Sequence, residues 1–192
     1  IPRMQMRRAF VTAVREALEI ADNGLPDLVR PMIAETPQEI TALTERIARI
    51  EATLTALSRT DPVVQRLLKL PGVGLLGATA VRAAVGDIQL FPTGRHFSSW
   101  LGLTAREHSS AETRRLGRIS KQGDTYLRTL LVHGARSALC AAARAHSQGR
   151  PLDRLRLWAL ATEQRRGRNK ATVALANKLA RMAWAVLSTG AP

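Results

Sequence analysis

The 192-residue chain carries 29 lysines and arginines against 15 acidic residues, which gives a formal net charge of +14 at neutral pH. Hydrophobic residues make up 45% of the chain, enough for a packed core, so composition argues against a disordered protein. A single cysteine, Cys140, excludes an intramolecular disulfide and a cysteine zinc site, and no apolar run approaches the about 20 residues of a membrane span.

The first 60 residues are expected to form a helical, coiled-coil-type linker region. Residues 3–21 have a helical pattern that ends at Asn23-Gly24, and Thr36 with Glu39 resembles a capping box that starts a second helix. Apolar residues then recur at heptad spacing, at Ile40, Leu43, Ile47, Ile50, Leu54 and Leu57. This seam predicts pairing with residues 3–21 or with a second protomer, which would make a homo-oligomer. Ordinary core packing is the alternative.

Residues 61–192 are expected to form one helical domain. Within it, residues 63–85 resemble a helix–hairpin–helix motif, whose turn would bind a phosphate through Lys69, Gly72, Val73 and Gly74. A helical hairpin without a ligand is the alternative.

Helical patterns continue along the rest of this domain. They cover residues 94–101, with Phe97 and Trp100 as core anchors, and then 124–145, 152–164 and 169 onward, where Val173 is placed on the buried face. Alanine and leucine are abundant and aromatic residues make up only 4%, so the predicted fold class is all-α.

The segment 102–123 interrupts the helices with two adjacent serines among basic side chains. Its charge belongs to a wider asymmetry, because residues 101–192 hold 17 basic and 5 acidic residues whereas residues 1–100 hold 12 and 10. The residues predicted to contact nucleic acid here and in the later basic turn are Arg106, Arg114, Arg115, Arg118, Lys121, Arg166, Arg168 and Lys170. A generic solvated basic surface is the alternative.

Chemistry at Ser109 or Ser110 is restricted by what surrounds them. No nucleophile elbow is present, and His108 is a general-base candidate only by its proximity in sequence. The acidic residues are scattered among arginines, so no metal site is expected from this chain alone. Guanidinium groups can activate a serine and stabilise a phosphorus-centred transition state. Plain nucleic-acid binding and serine attack on a phosphodiester therefore both stay open.

Four stretches in order carry a family resemblance: LLKLPGVGLLGATAVRAAVGDIQLF, GRHFSSWLGLTAREHSS, RRLGRISKQGDTYLRTLLVHGARSAL and NKATVALANKLARMAWAVL. Together they resemble the C-terminal transposase domain of the insertion sequence 110/116/902 family, which includes the pilin-gene inverting recombinase. The resemblance covers roughly residues 60–190. It implies a DNA recombinase guided by a structured, bridge-type RNA, whose serine attacks DNA to form a phosphoserine link. By register Ser110 matches the family serine, and Ser109 is the alternative.

The resemblance also implies parts that lie outside this sequence. Family members have a RuvC-like domain whose DEDD acidic cluster binds Mg²⁺, joined by a coiled coil. Because the sequence begins at Ile1 and lacks that domain, we expect a fragment that is inactive alone. Ala105 and Ala111 stand where the family commonly has proline and glycine. The runner-up function is a non-catalytic helix–hairpin–helix module for repair or junction binding. A cytoplasmic location at the bacterial nucleoid is expected, without membrane partners.

Overall fold

The computed structural model describes residues 2–20, 23–110, 112–113 and 115–189, with side chains from residue 9 onward. The chain is mostly α-helical, as predicted, with one added β-hairpin. In chain order the elements are α1 (Pro2–Glu19), α2 (Arg30–Thr60), α3 (Pro62–Leu68), α4 (Leu75–Ala84), a 3-10 turn (Ile88–Leu90), α5 (Gly94–Trp100), β1 (Ala105–Glu107), β2 (Leu116–Ile119), α6 (Thr125–Ser147), α7 (Arg154–Arg166) and α8 (Arg168–Thr189).

The chain divides into two compact units, Ile1–Thr55 and Ala56–Pro192. In the first unit, the predicted helix start at Thr36 is wrong, because α2 already begins at Arg30 and includes Pro37. The Thr36 hydroxyl donates to the Met32 carbonyl at 3.4 Å, which is a bond typical of threonine inside a helix and not of an N-cap. The pattern from Thr36 to Glu39 therefore lies inside α2 and does not mark its start.

The heptad seam of α2 is a solvent-exposed stripe. Leu43, Ile47, Ile50 and Leu57 are each 44–60% exposed, which is unusual for large apolar side chains at regular spacing. These four residues do not lie in a core of the described chain, whereas Ile40 and Leu54 of the same seam are partly buried. Pairing with residues 3–21 or with a second protomer stays a prediction.

The second unit is built around α8. This helix contacts α3, α5, α6 and α7, and four of its alanines, Ala171, Ala176, Ala180 and Ala183, are at most 1% exposed. Small side chains let neighbouring helices approach closely while leucines fill the remaining space. Phe97 is fully buried as predicted, whereas Trp100 is 37% exposed and lies against the Phe91 and Phe97 rings.

Side-chain caps fix where the helices of this unit begin. Asp124 and Asp153 each accept a backbone N–H from the first turn, of Leu127 and Arg156 respectively, at 2.8 Å. Asp61 caps α3 in the same way and also pairs with Arg82. Partial burial raises the pKa of Asp61, but the backbone N–H groups it accepts and the Arg82 guanidinium outweigh this and lower it below its usual value.

Candidate nucleic-acid interface

The segment that carries the serines, expected only as an interruption between helices, is a β-hairpin. β1 and β2 pair antiparallel, with Ala105 opposite Ile119 and Glu107 opposite Leu116. The register shifts between these two pairs. Beyond the strands, Ser110 and Thr113 exchange backbone hydrogen bonds of 3.1 and 3.0 Å, closing a tight turn. Both serines therefore lie at the exposed tip. The short cationic strands lack apolar alternation, so the sequence carried no strand signal.

The two serines differ in what their hydroxyls contact. The Ser109 Oγ donates to the Glu107 carboxylate at 2.7 Å and accepts the Arg115 backbone N–H at 3.2 Å. The Ser110 hydroxyl makes no hydrogen bond to any described residue and is exposed to solvent. Ser109 thus helps to hold the turn together, while Ser110 is accessible to an incoming group.

His108 is part of the hairpin but is not joined to a serine. Its backbone N–H donates to the Arg115 carbonyl at 2.8 Å. Its imidazole lies over Gly117, where an added Cβ would be 3.5 Å from His108 Cδ2. Among the described residues, the ring makes no hydrogen bond with Ser109 or Ser110, so the geometry does not support a serine–histidine pair.

The root of the hairpin is held by two helices. Arg128 of α6 is only 9% exposed and donates to the Leu101 carbonyl at 3.1 Å and to the Thr125 hydroxyl at 2.9 Å. Asn177 of α8 donates to the Leu103 carbonyl at 3.1 Å. The chain just before β1 is therefore fixed from both sides, and this sets the direction in which the hairpin leaves the core.

The hairpin presents a dense group of exposed cations. They are Arg106, Arg115, Arg118 and Lys121, while the predicted Arg114 lies outside the described residues. Arg106 also donates to the Ser120 carbonyl at 3.1 Å across the hairpin. Exposed guanidinium groups on one hairpin are suited to binding phosphate oxygens.

The turn between α3 and α4 has a packing role that the sequence did not reveal. Gly72 has a φ of 86°, and an added Cβ would lie 2.4 Å from the Gly134 carbonyl oxygen of α6. Val73 is 7% exposed, and its backbone N–H donates to the Leu70 carbonyl. Val73 is therefore a core residue and not the phosphate contact that the sequence predicted. Lys69 and Gly74 are exposed at the turn, and their binding of phosphate stays a prediction.

The basic turn between α7 and α8 contributes cations in different ways. Gly167 ends α7 with a φ of 81°, and Arg166 and Lys170 are exposed on either side of it. Arg168 instead donates to the Cys140 sulfur of α6 at 2.7 Å. Of the three predicted residues in this turn, Lys170 is the one that lines a cleft together with residues of the hairpin.

A cleft of about 1290 Å³ lies between the hairpin and α8. Among the residues that line it are five cations and no carboxylate: Arg118, Lys121, Lys170, Lys178 and Arg181. The apolar part of its lining, here called the floor, includes Leu103, Trp158, Val173 and Ala174. The structure thus brings together three predicted residues from two distant segments, and it corrects Val173 from a core position to a half-buried cleft wall.

Sequence reasoning missed the α8 side of this cleft. Lys170, Ala174, Lys178 and Arg181 follow one another at steps of four, four and three residues, and Asn177 directly precedes Lys178, so all five share one face of the helix. The signal was present as a polar stripe opposite the apolar one, but only the apolar stripe was used. Without the fold, nothing indicated that this face meets the hairpin.

Two negative findings apply to the described part of the chain. No group of three or more His, Cys, Asp or Glu side chains there lies close enough together to hold a metal ion. None of its helices is both long and apolar enough to cross a membrane.

A cationic hairpin beside a cationic cleft, on a chain of charge +14, is typical of helical domains that bind a polyanion. Residues 64–150 match the transposase family IS116/IS110/IS902. The chain therefore contains a transposase domain of the IS116/IS110/IS902 family, as the sequence resemblance indicated.

Relatives extend the similarity beyond the matched domain. The chain is 46% identical over 183 residues to a "Probable family 20 transposase" of Pseudomonas aeruginosa, covering 94% of this chain and 52% of that protein. It is 44% identical over 144 residues to the "Transposase for insertion sequence element IS1111A" of Coxiella burnetii, covering 75% and 38%. It is 33% identical over 187 residues to the transposase for IS1328 of Yersinia enterocolitica, covering 97% and 54%. The chain spans about half the length of the curated relatives it matches, or less.

The hydrogen bonds from Arg128 to the Leu101 carbonyl and the Thr125 hydroxyl, here called the Arg128 clamp, lead to a testable prediction. Arg128→Lys should destabilise the domain by about 1.5 kcal/mol, because one ammonium group cannot replace both guanidinium bonds and the Leu101 carbonyl loses its charged donor. Hydrogen exchange should show faster exchange at the Ser120 and Lys121 amides. Arg136→Lys, on the exposed side of the same helix, is the matched control and should change neither quantity. Unchanged exchange in Arg128→Lys would contradict the clamp.

Proposed function

We propose that this domain binds DNA and exchanges DNA strands by serine attack on a phosphodiester, as part of a longer transposase. The observation that carries the proposal is the exposed Ser110 hydroxyl at the tip of a rigidly rooted, cationic hairpin. Membership of a transposase family supports a DNA substrate. The positive charge alone would support DNA binding but not a chemical step. The accessible Ser110 hydroxyl supports the chemical step.

In the proposed step, the Ser110 Oγ attacks phosphorus and forms a P–Oγ bond, while the bond from phosphorus to a deoxyribose oxygen breaks. The serine proton passes to solvent or to a base outside this chain, and the leaving oxygen takes up a proton. We propose that Arg115 and Arg118, which are exposed on the same hairpin, neutralise charge on the non-bridging oxygens. Ser109 is the alternative nucleophile, with the Glu107 carboxylate as the proton acceptor at 2.7 Å.

The remaining machinery is proposed to come from outside this chain. Mg²⁺ would be held by a RuvC-like acidic cluster, because the described residues offer no suitable ligand group. A bridge-type guide RNA would select the sites to be joined. Without those parts we propose that the domain binds DNA but does not react.

Self-association is proposed through the exposed seam of α2, whose Leu43, Ile47 and Ile50 have the spacing of a coiled coil. A second copy would cover this stripe and make the protein a homo-oligomer. A location at the bacterial nucleoid follows from the proposed DNA substrate.

A non-catalytic helix–hairpin–helix module is the second candidate function. The observation in its favour is the exposed pair Lys69 and Gly74 at the α3–α4 turn. The approach of Gly72 to Gly134 weakens it, because packing already accounts for that glycine. In this case DNA affinity should depend on Lys69 and not on the hairpin cations.

The test uses a chimera completed with the remaining part of the Pseudomonas aeruginosa relative. It is incubated with Mg²⁺, DNA that carries the element ends, and RNA transcribed from the element. We expect a protein–DNA adduct that survives denaturation, with mass spectrometry assigning a phosphoserine link in the peptide 107–115. DNA cleavage without any adduct would overturn the serine mechanism, since water would then be the nucleophile.

A further inference from the structure

We propose that the cleft between β2 and α8 binds an unpaired DNA strand that continues from the serine hairpin. This inference rests on the proposed function and deepens it, because it specifies the form of the DNA beside the reacting phosphate. Nothing in the serine mechanism itself requires such a cleft. The charge of the cleft, its apolar floor and its position beside the hairpin support the inference.

The rim of the cleft is complementary to a phosphate backbone. Arg118 and Lys121 come from the hairpin, while Lys170, Lys178 and Arg181 line the opposite side on α8. No carboxylate lines the cleft among the described residues, so the five positive charges are not offset there. Cations on two facing walls can follow a single strand that runs between them.

The floor decides between an unpaired strand and a duplex. A duplex presents phosphates and groove edges to a protein, so a cationic surface alone would be enough to bind it. Unpaired bases expose their faces, which favour apolar and aromatic surfaces. Val173 and Trp158, which are partly buried, line the cleft together with these cations and offer such a surface. The volume of about 1290 Å³ also exceeds the about 300–1,000 Å³ of small-molecule pockets, in keeping with several nucleotides.

The position of the cleft connects it to the reacting serines. The Arg115 backbone N–H donates to the Ser109 Oγ at the hairpin tip. The next residue, Leu116, begins β2 and already lines the cleft. A strand whose phosphate lies at the tip therefore meets the cleft as it passes along β2. Holding that strand unpaired would keep its neighbouring bases from re-forming the original duplex during exchange.

Trp158 provides a direct reporter. The Lys178 ammonium nitrogen lies 4.2 Å from the centre of the Trp158 ring, so it covers a face that a base could use. When a strand enters, Lys178 moves from the ring to a phosphate and a base approaches the indole. Trp158 emission is therefore expected to change on binding.

The experiment measures binding of the chain to a 5′-labelled 12-nucleotide oligothymidylate by fluorescence anisotropy over a range of salt. A 12-base-pair duplex, oligouridylate and polyglutamate are the comparison ligands. The cleft variant is Lys178→Gln/Arg181→Gln. The control variant is Arg136→Gln/Arg144→Gln, which removes the same charge from exposed positions of α6 outside the cleft.

The expected result is that the cleft variant binds oligothymidylate about tenfold more weakly at moderate salt and that its log–log salt slope falls by about 1.4, two phosphate contacts at 0.7 each. Duplex affinity should fall less, the control variant should differ little from the wild-type chain, and Trp158→Phe should abolish the emission change.

Equal losses in the two double variants would overturn the cleft as the binding site while leaving the proposed function intact. Preference for oligouridylate, or equal displacement by polyglutamate, would overturn DNA as the occupant. Failure to bind any DNA would instead count against the proposed function itself.

Discussion

Ser110→Ala is expected to lower formation of the covalent protein–DNA adduct in the completed chimera by about 10³-fold or more, because removal of a nucleophile eliminates the covalent step itself. DNA binding should be unchanged, since the exposed Ser110 hydroxyl makes no hydrogen bond to a described residue. The measurement is single-turnover adduct formation by denaturing electrophoresis, with affinity followed separately. A loss of adduct without a loss of affinity would separate chemistry from binding.

Ser109→Ala is the matched control, one residue away on the same hairpin tip. It should reduce adduct formation more modestly, because it removes the bonds to Glu107 and to the Arg115 N–H and so loosens the turn. The converse result, loss of the adduct in Ser109→Ala and retention in Ser110→Ala, would make Ser109 the nucleophile. Glu107→Gln would then also be expected to slow the reaction, because the amide cannot accept the proton. Retention of the adduct in both serine variants would contradict the serine mechanism.

Gly102→Ala is expected to destabilise the domain by about 3 kcal/mol, the second large effect. Gly102 has a φ of 69°, which costs an L residue about 1–2 kcal/mol. An added Cβ would also lie 2.1 Å from the Gln122 carbonyl oxygen, so the backbone must shift at further cost of about 1–3 kcal/mol. Thermal unfolding should show a fall in Tm of roughly 6–12 °C.

The control for this prediction is Gly149→Ala. Gly149 has nearly the same φ, 67°, but no atom lies within 4 Å of its added Cβ. It should therefore show only the conformational cost of about 1–2 kcal/mol. The difference between the two variants measures the close contact at the hairpin root, where the Lys121 N–H also donates to the Gly102 carbonyl at 3.1 Å. Equal destabilisation would mean that the hairpin root adapts without cost.

Local patterns predicted most of the helices because their signals are confined to neighbouring residues. The Asp124 cap and the apolar stripe that follows it identified α6 closely. The same local reasoning misplaced the start of α2 at Thr36, because a threonine followed by proline is typical of a helix start, whereas α2 begins at Arg30 and continues through Pro37. The β-hairpin escaped detection because its strands are short and lack apolar alternation, while part of its support comes from Arg128 and Asn177 on distant helices.

The candidate site shows the same division. The sequence by itself determined the charge asymmetry, the serine pair, the helical class and the family resemblance, all of which depend on residue identity and spacing alone. Only the tertiary structure decided that Ser109 is bonded and Ser110 is accessible, that Gly72 meets Gly134, and that Arg118 shares a cleft with Lys178. These relations join residues up to 62 positions apart. Their physical reason is the pairing of the hairpin strands and the packing of α6 and α8 against the rest of the domain, which no local pattern in the sequence encodes.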